Sequence, residues 1–179
     1  MFDSLITNLR EVIDRFLQAL SPTDAACVLV GIAIIALAKH AGMWIYALVA
    51  LPGTFAHELA HFIVGLLLGA RPSFPSLIPV RTERGWRLGA VSFRVGRLRA
   101  LPIALAPLLL LPLACWWAFT LLHTAAWPLY ALHAWITAAL LTASMPSRTD
   151  WKLALPVLGV LLLIAVLAAV AWWFLFARR

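Results

Sequence analysis

The chain has 179 residues, of which 64% are hydrophobic and 12% charged, with a formal net charge of +7. A soluble domain covers its surface with roughly 25% charged residues, so a mean hydropathy of +0.98 excludes water as the main solvent and points to a lipid bilayer. Nucleic acid is excluded as the expected partner: seven of the fourteen Lys and Arg lie from Arg71 to Arg99, between apolar runs, a pattern of membrane topology and anionic-lipid contact.

The N-terminal residues 1–21 predict an amphipathic helix lying in the membrane interface. Phe2, Leu5, Leu9, Val12, Phe16 and Leu20 recur at helical spacing, opposite Arg10, Glu11, Asp14 and Arg15. Two roles are open to it, an anchor or a substrate gate. Asp3, Glu11 and Asp14 interrupt the segment, which therefore does not read as a signal peptide. Ser21-Pro22 ends it.

An apolar stretch follows from Ala25 to Ala70, interrupted at Lys39-His40 and Pro52-Gly53. Division at Lys39–Gly42 gives a short first span and a second from Met43 to Gly69. Alternatively, 25–51 is one long helix and 54–69 a separate half-helix. Cys27 and Cys115 lie far apart inside apolar runs, as small core residues do, and predict neither a disulfide nor a thiolate metal site.

Residues 71–100 are polar by comparison. Leu77–Val80 and Trp86–Val95 are rich in β-branched and aromatic residues around Glu83-Arg84-Gly85, which predicts a β-hairpin. Leu101–Leu122 is the next span, kinked by Pro102, Pro107 and Pro112. An uncharged linker at His123–Ala126 leads to a span at Trp127–Ala143, a polar break at Ser144–Lys152, and a last span at Leu153–Phe176. Trp172, Trp173, Phe174 and Arg178-Arg179 mark its interfacial end. The expected fold is an all-α membrane protein in one polytopic domain, 1–179. It has four to five transmembrane helices, an interfacial helix and a small hairpin between the second and third spans. The distribution of Lys and Arg puts the 71–100 segment and the Arg148/Lys152 break in the cytoplasm, with Arg178-Arg179 the one conflict.

The chemistry concentrates at His57-Glu58-Leu59-Ala60-His61. Positions i and i+4 share a helix face, so His57 and His61 can present two imidazoles to one Zn2+. Glu58 beside them is placed to take a proton from the attacking water. Pro52-Gly53 breaks the preceding helix and Thr54 can cap the next, which puts the motif in its first turns. Three ionisable residues at membrane depth are costly without a partner, and a metal supplies one; polar packing between helices is the plainer alternative. A catalytic zinc takes three protein ligands, and after the motif the chain has only two acids, Glu83 and Asp150. Glu83 sits among arginines at the hairpin turn, as a solvated ion pair would. Asp150 begins the last span on the leaflet where the second span ends, as a ligand or as a helix N-cap. His133, within a span, is its rival as third ligand. His123 falls on the opposite side, and His40 marks a membrane boundary.

The segment His57-Glu58-Leu59-Ala60-His61-Phe62-Ile63-Val64, with Leu68-Gly69 behind it, resembles the HExxH helix of the site-2 protease family of intramembrane metalloproteases. In that family a β-hairpin or sheet follows, and an Asp from a later Asn-x-x-Pro-x-x-x-x-Asp-Gly motif completes the zinc site. The counterpart here is Ser144-Met145-Pro146-Ser147-Arg148-Thr149-Asp150. It lacks the Asn, has three residues between Pro146 and Asp150, and carries Trp151 in place of the Gly. The resemblance implies a minimal zinc endopeptidase with His57, His61 and Asp150 on the metal and Glu58 as catalytic base. Its substrate would be a transmembrane or juxtamembrane peptide, cut from the cytoplasmic side of a bacterial inner membrane. Substrate contacts that the Asn makes in the family would pass to Ser144, Ser147 or Arg148. The strand around Trp86–Val95 either pairs with the substrate or is structural. A catalytically inactive metal-binding scaffold or transporter component, and hydrolysis of a lipid or other non-peptide substrate, share the same metal chemistry.

Overall fold

The computed structural model describes residues 6–7, 21–82 and 85–173. The expected interfacial helix falls almost wholly outside the described residues, as do the turn residues Glu83 and Arg84 and the terminal Phe174 and Arg178-Arg179.

Helix α1 (Pro22–Ala41) starts at Ser21, whose hydroxyl accepts from the Asp24 amide at 3.0 Å, with Pro22 in the first position. It stops at Gly42, whose φ of 127° is open to glycine alone. Helices α2 (Met43–Val49) and α3 (Leu51–Leu67) follow, bent by 71° about Ala50. The expected division at Lys39–Gly42 and the break near Pro52-Gly53 therefore both occur, but Thr54 is not the cap. Ala50 takes that position, and Pro52 falls in the first turn, where its missing N–H is no loss. The Thr54 amide is already helical, donating to the Ala50 carbonyl at 2.9 Å. At the bend the Val49 carbonyl accepts from the Trp135 indole at 2.8 Å. Helix α3 ends at Gly69, φ 69°, with Ala70 N–H on the Gly65 carbonyl (2.8 Å) and Gly69 N–H on the Leu66 carbonyl (3.0 Å). This Schellman closure explains the glycine after Leu68.

The hairpin is shorter than expected. β1 (Val80–Thr82) pairs antiparallel with β2 (Gly85–Arg87), Val80 opposite Arg87 and Thr82 opposite Gly85, and one further bridge joins Ser76 to Ala90. Pro72, Pro75 and Pro79 remove donors along the first arm, so a continuous ladder cannot form there. The next span is the predicted kinked helix. It runs as α4 (Arg97–Ala104), a 3-10 turn (Ala106–Leu109), α5 (Leu110–Trp117) and a π turn (Ala118–Leu122), with Pro102, Pro107 and Pro112 along it. Helices α6 (Leu129–Ala143) and α7 (Arg148–Trp172) complete the order.

Among the described residues, three helices are long and apolar enough to cross a membrane: Pro22–Ala41, Leu98–Leu122 and Arg148–Val170. The bent pair α2–α3 makes a fourth if it counts as one span, while α6, at 15 residues, is apolar but shorter. Helix α6 lies at the centre, with α1 and α3 packed on it, and α7 rests on α4. Small residues allow this. A Cβ at Gly31 would stand 2.8 Å from that of Ala138, and one at Gly53 would run into the Ala139 carbonyl. The large apolar side chains point outward instead: Leu37, Leu67 and Leu162 are 67%, 78% and 67% exposed. In water that arrangement would be an aggregation surface; in a bilayer it faces acyl chains.

Candidate metal centre

His57 and His61 lie in the second and third turns of α3, one above the other, with ring centroids 4.8 Å apart. Each ring is held from behind. His57 Nδ1 is 2.8 Å from the Ala143 carbonyl at the end of α6, and His61 Nδ1 is 2.7 Å from the Ile103 carbonyl of α4. A carbonyl oxygen only accepts, so each Nδ1 carries the proton and donates, which leaves the Nε2 lone pairs free in the neutral rings.

Those two Nε2 atoms are 3.2 Å apart. Asp150 meets them from α7, with Oδ2 3.5 Å from His57 Nε2 and Oδ1 3.4 Å from His61 Nε2. Two imidazole nitrogens and two carboxylate oxygens converge with no donor of their own between them. Buried at that spacing they repel, unless a cation or a shared proton sits among them. The closest approaches are near the edge of about 3.3 Å in a tetrahedron with ligand distances of about 2.0–2.1 Å, the carboxylate meeting the two histidines through different oxygens. His57, His61 and Asp150 thus form a group that can hold a metal ion.

Asp150 is fixed by its own helix end. Ser147 is the N-cap of α7 and Asp150 the third residue after it. Asp150 Oδ2 accepts from the Ser147 amide at 2.6 Å, and the Ser147 hydroxyl accepts from the Asp150 amide at 3.3 Å. The capping and ligand roles expected of Asp150 are therefore compatible, though the cap itself is Ser147.

Glu58 is buried beside the histidines and touches the loop that follows β2. A Cβ at Gly89 would stand 2.6 Å from both Cγ and Oε1 of Glu58, so any other residue there would push the Glu58 side chain aside. The two residues line one cavity of about 1710 Å3 together with His57, His61 and Asp150. The extended segment after β2 forms a wall of it. Ala90 exchanges both backbone hydrogen bonds with Ser76 at 3.0 Å, and the Ser92 carbonyl accepts from the Ser73 amide at 2.8 Å. Alternate residues of an extended chain turn their backbone groups to opposite edges. Gly89, Val91 and Phe93 thus present theirs away from Ser73 and Ser76; they line the cavity and carry no hydrogen bond among the described residues.

The other residues singled out in the sequence separate clearly. Ser147 and Arg148 line the cavity, whereas Ser144 is buried, with its hydroxyl donating to the Leu141 carbonyl at 2.8 Å. His133 packs against Trp117, ring centroids 5.7 Å apart, and is not in the metal group. His40 is exposed in the last turn of α1. His123 pairs with Asp24 at 3.0 Å, in a cluster that no local pattern in the sequence marks. Glu83 lies outside the described residues. Gly89 and the two carbonyls behind the histidines are further members of the site that the motif does not reveal. A lone glycine inside a strand-like run is the available signal for the first; backbone partners leave none.

Compared with protein-family models, with curated proteins and with solved structures, the chain has no match.

Proposed function

We propose that the protein is an intramembrane zinc metallopeptidase of the site-2 protease kind, cleaving peptide bonds in or near transmembrane segments. The observation that carries this reading is the convergence of His57 Nε2, His61 Nε2 and the Asp150 carboxylate, with closest approaches of 3.2, 3.5 and 3.4 Å, and Glu58 buried beside them in the same cavity. Two nitrogens and a carboxylate oxygen are the donor set of hydrolytic zinc sites with a fourth position left open. Zinc, when bound, polarises the scissile carbonyl and makes water acidic enough to attack at neutral pH.

The chain supplies the rest. Glu58 takes the proton from the attacking water and returns it to the leaving amine, so that the amine departs neutral. The Ala143 and Ile103 carbonyls hold the imidazoles in the tautomer that faces the metal. A helical substrate hides its carbonyls in its own hydrogen bonds, so it must be locally unwound. The free edge of Gly89, Val91 and Phe93 offers backbone partners to such an extended stretch. Gly89 adjoins Glu58, which brings a peptide on that edge to the base. The cavity lies toward the cytoplasmic leaflet of a bacterial inner membrane in this reading, on the positive-inside argument.

The test is purified protein with one zinc per chain that cleaves a model transmembrane peptide, compared with Glu58→Gln. That variant is expected to keep zinc and lose cleavage. Undiminished cleavage would sink the assignment, and zinc without turnover in the wild type would favour a metal-binding scaffold.

A further inference from the structure

The cavity that holds the metal group is ringed by positive charge. Lys39 reaches it from the last turn of α1, Arg87 from β2, and Arg148 and Lys152 from the first turns of α7. Three separate elements thus converge their cations on one opening. All four are exposed, and among the described residues none has a carboxylate within ion-pair distance. Lys39 Nζ lies over the Tyr46 ring, 5.3 Å from its centroid. The cavity's two carboxylates, Glu58 and Asp150, are buried at its base. Arg87 is near enough to Glu58 for their charges to interact, whereas a dication at the base would offset both carboxylates and leave the rim with an excess of positive charge among the described residues.

Resting on the peptidase reading, we propose that this rim selects its substrate class: transmembrane peptides with acidic residues beside the apolar segment. Like-signed cations held together at a mouth focus a field that draws in an anionic chain. An acidic flank entering there meets cations that have no carboxylate within ion-pair distance among the described residues. A basic flank, common on the same side of ordinary membrane proteins, is repelled, so the rim also rejects bystanders. Anionic lipid headgroups are the competing occupants. A rim built for them belongs on the outer wall of the bundle, whereas these four side chains line the same cavity as the metal ligands and the Gly89–Phe93 edge.

The experiment uses the full-length Glu58→Gln protein in neutral detergent and two synthetic peptides. They share one apolar segment and differ only in a flank of Asp-Glu-Asp or Asn-Gln-Asn. The acidic peptide is expected to bind about tenfold tighter, and the paired change Arg148→Gln/Lys152→Gln, which leaves Lys39 and Arg87 in place, is expected to narrow the difference to about threefold with zinc content unaltered. The preference is expected to persist in vesicles of phosphatidylcholine with or without phosphatidylglycerol. Equal binding of the two peptides would overturn the proposal. So would a preference that disappears once phosphatidylglycerol is present, which assigns the rim to lipid. Because binding is read without turnover, failure of the peptidase reading shows separately, as absence of cleavage by the wild type.

Discussion

Among the described residues histidine and aspartate come together at two places, and the two clusters are opposites. Asp24 is buried near the start of α1, where Tyr130 donates to its Oδ1 at 2.6 Å and His123 Nδ1 lies 3.0 Å from Oδ2. Each carboxylate oxygen there has a donor from the protein itself, so the cluster is complete as it stands. At the other cluster both imidazoles spend their N–H groups on backbone carbonyls and turn lone pairs toward a carboxylate. Acceptors then outnumber donors at the centre, and only something positive can complete it. A satisfied cluster ties helices together; a deficient one is a group that can hold a cation.

Five substitutions bear on this contrast. Asp150→Ala is expected to have the largest effect, leaving no zinc after gel filtration and no cleavage, while Asp24→Ala keeps about one zinc per chain; loss of metal in both would erase the distinction. Gly89→Ala comes next, because its Cβ falls on Glu58. It is expected to leave zinc in place and to lower kcat by about a hundredfold, as displacement of a base by an ångström does. Wild-type kcat in that variant would show that Glu58 has room to retreat. Asp24→Asn is expected to lower stability by about 2 kcal/mol with zinc unchanged, measured as the thermal midpoint in detergent. Tyr130→Phe removes one donor from the same cluster and is expected to cost about 1 kcal/mol. An unchanged midpoint in both would remove the Asp24 cluster from the stability account.

Much of this is legible in the sequence, for physical reasons. Two histidines four apart on an apolar helix are costly at membrane depth without a metal to share them, and Asp150 stands out because acids are so scarce in the chain. The break at Lys39–Gly42 is visible since charge followed by glycine rarely continues a span. The sequence misleads where the backbone acts without a side-chain signature. Thr54 looks like a cap, but the helix has already restarted at Ala50, with Pro52 in its first turn. The strand-like composition runs to Val95, yet β2 ends at Arg87 and the residues beyond it bond through Ala90 and Ser92 alone to the opposite arm. Asp24 carries only a local signal, the capping signature of Ser21 three residues earlier. Its partners, His123 and Tyr130, are about a hundred residues away, beyond the reach of any local pattern.

The anchoring of the two imidazoles has a thermodynamic consequence. Their rings ride on α3, but their hydrogen-bond partners belong to α6 and α4, and the third ligand belongs to α7. A cation seated among them therefore binds one particular arrangement of four helices and no other. By linkage, each tenfold excess of free metal over its dissociation constant deepens the assembled state by about 1.4 kcal/mol. Loading and folding are then a single equilibrium. If the protein is the metallopeptidase proposed above, a chain starved of metal would be a looser bundle, and metal supply would bear on the amount of folded protein as well as on its activity.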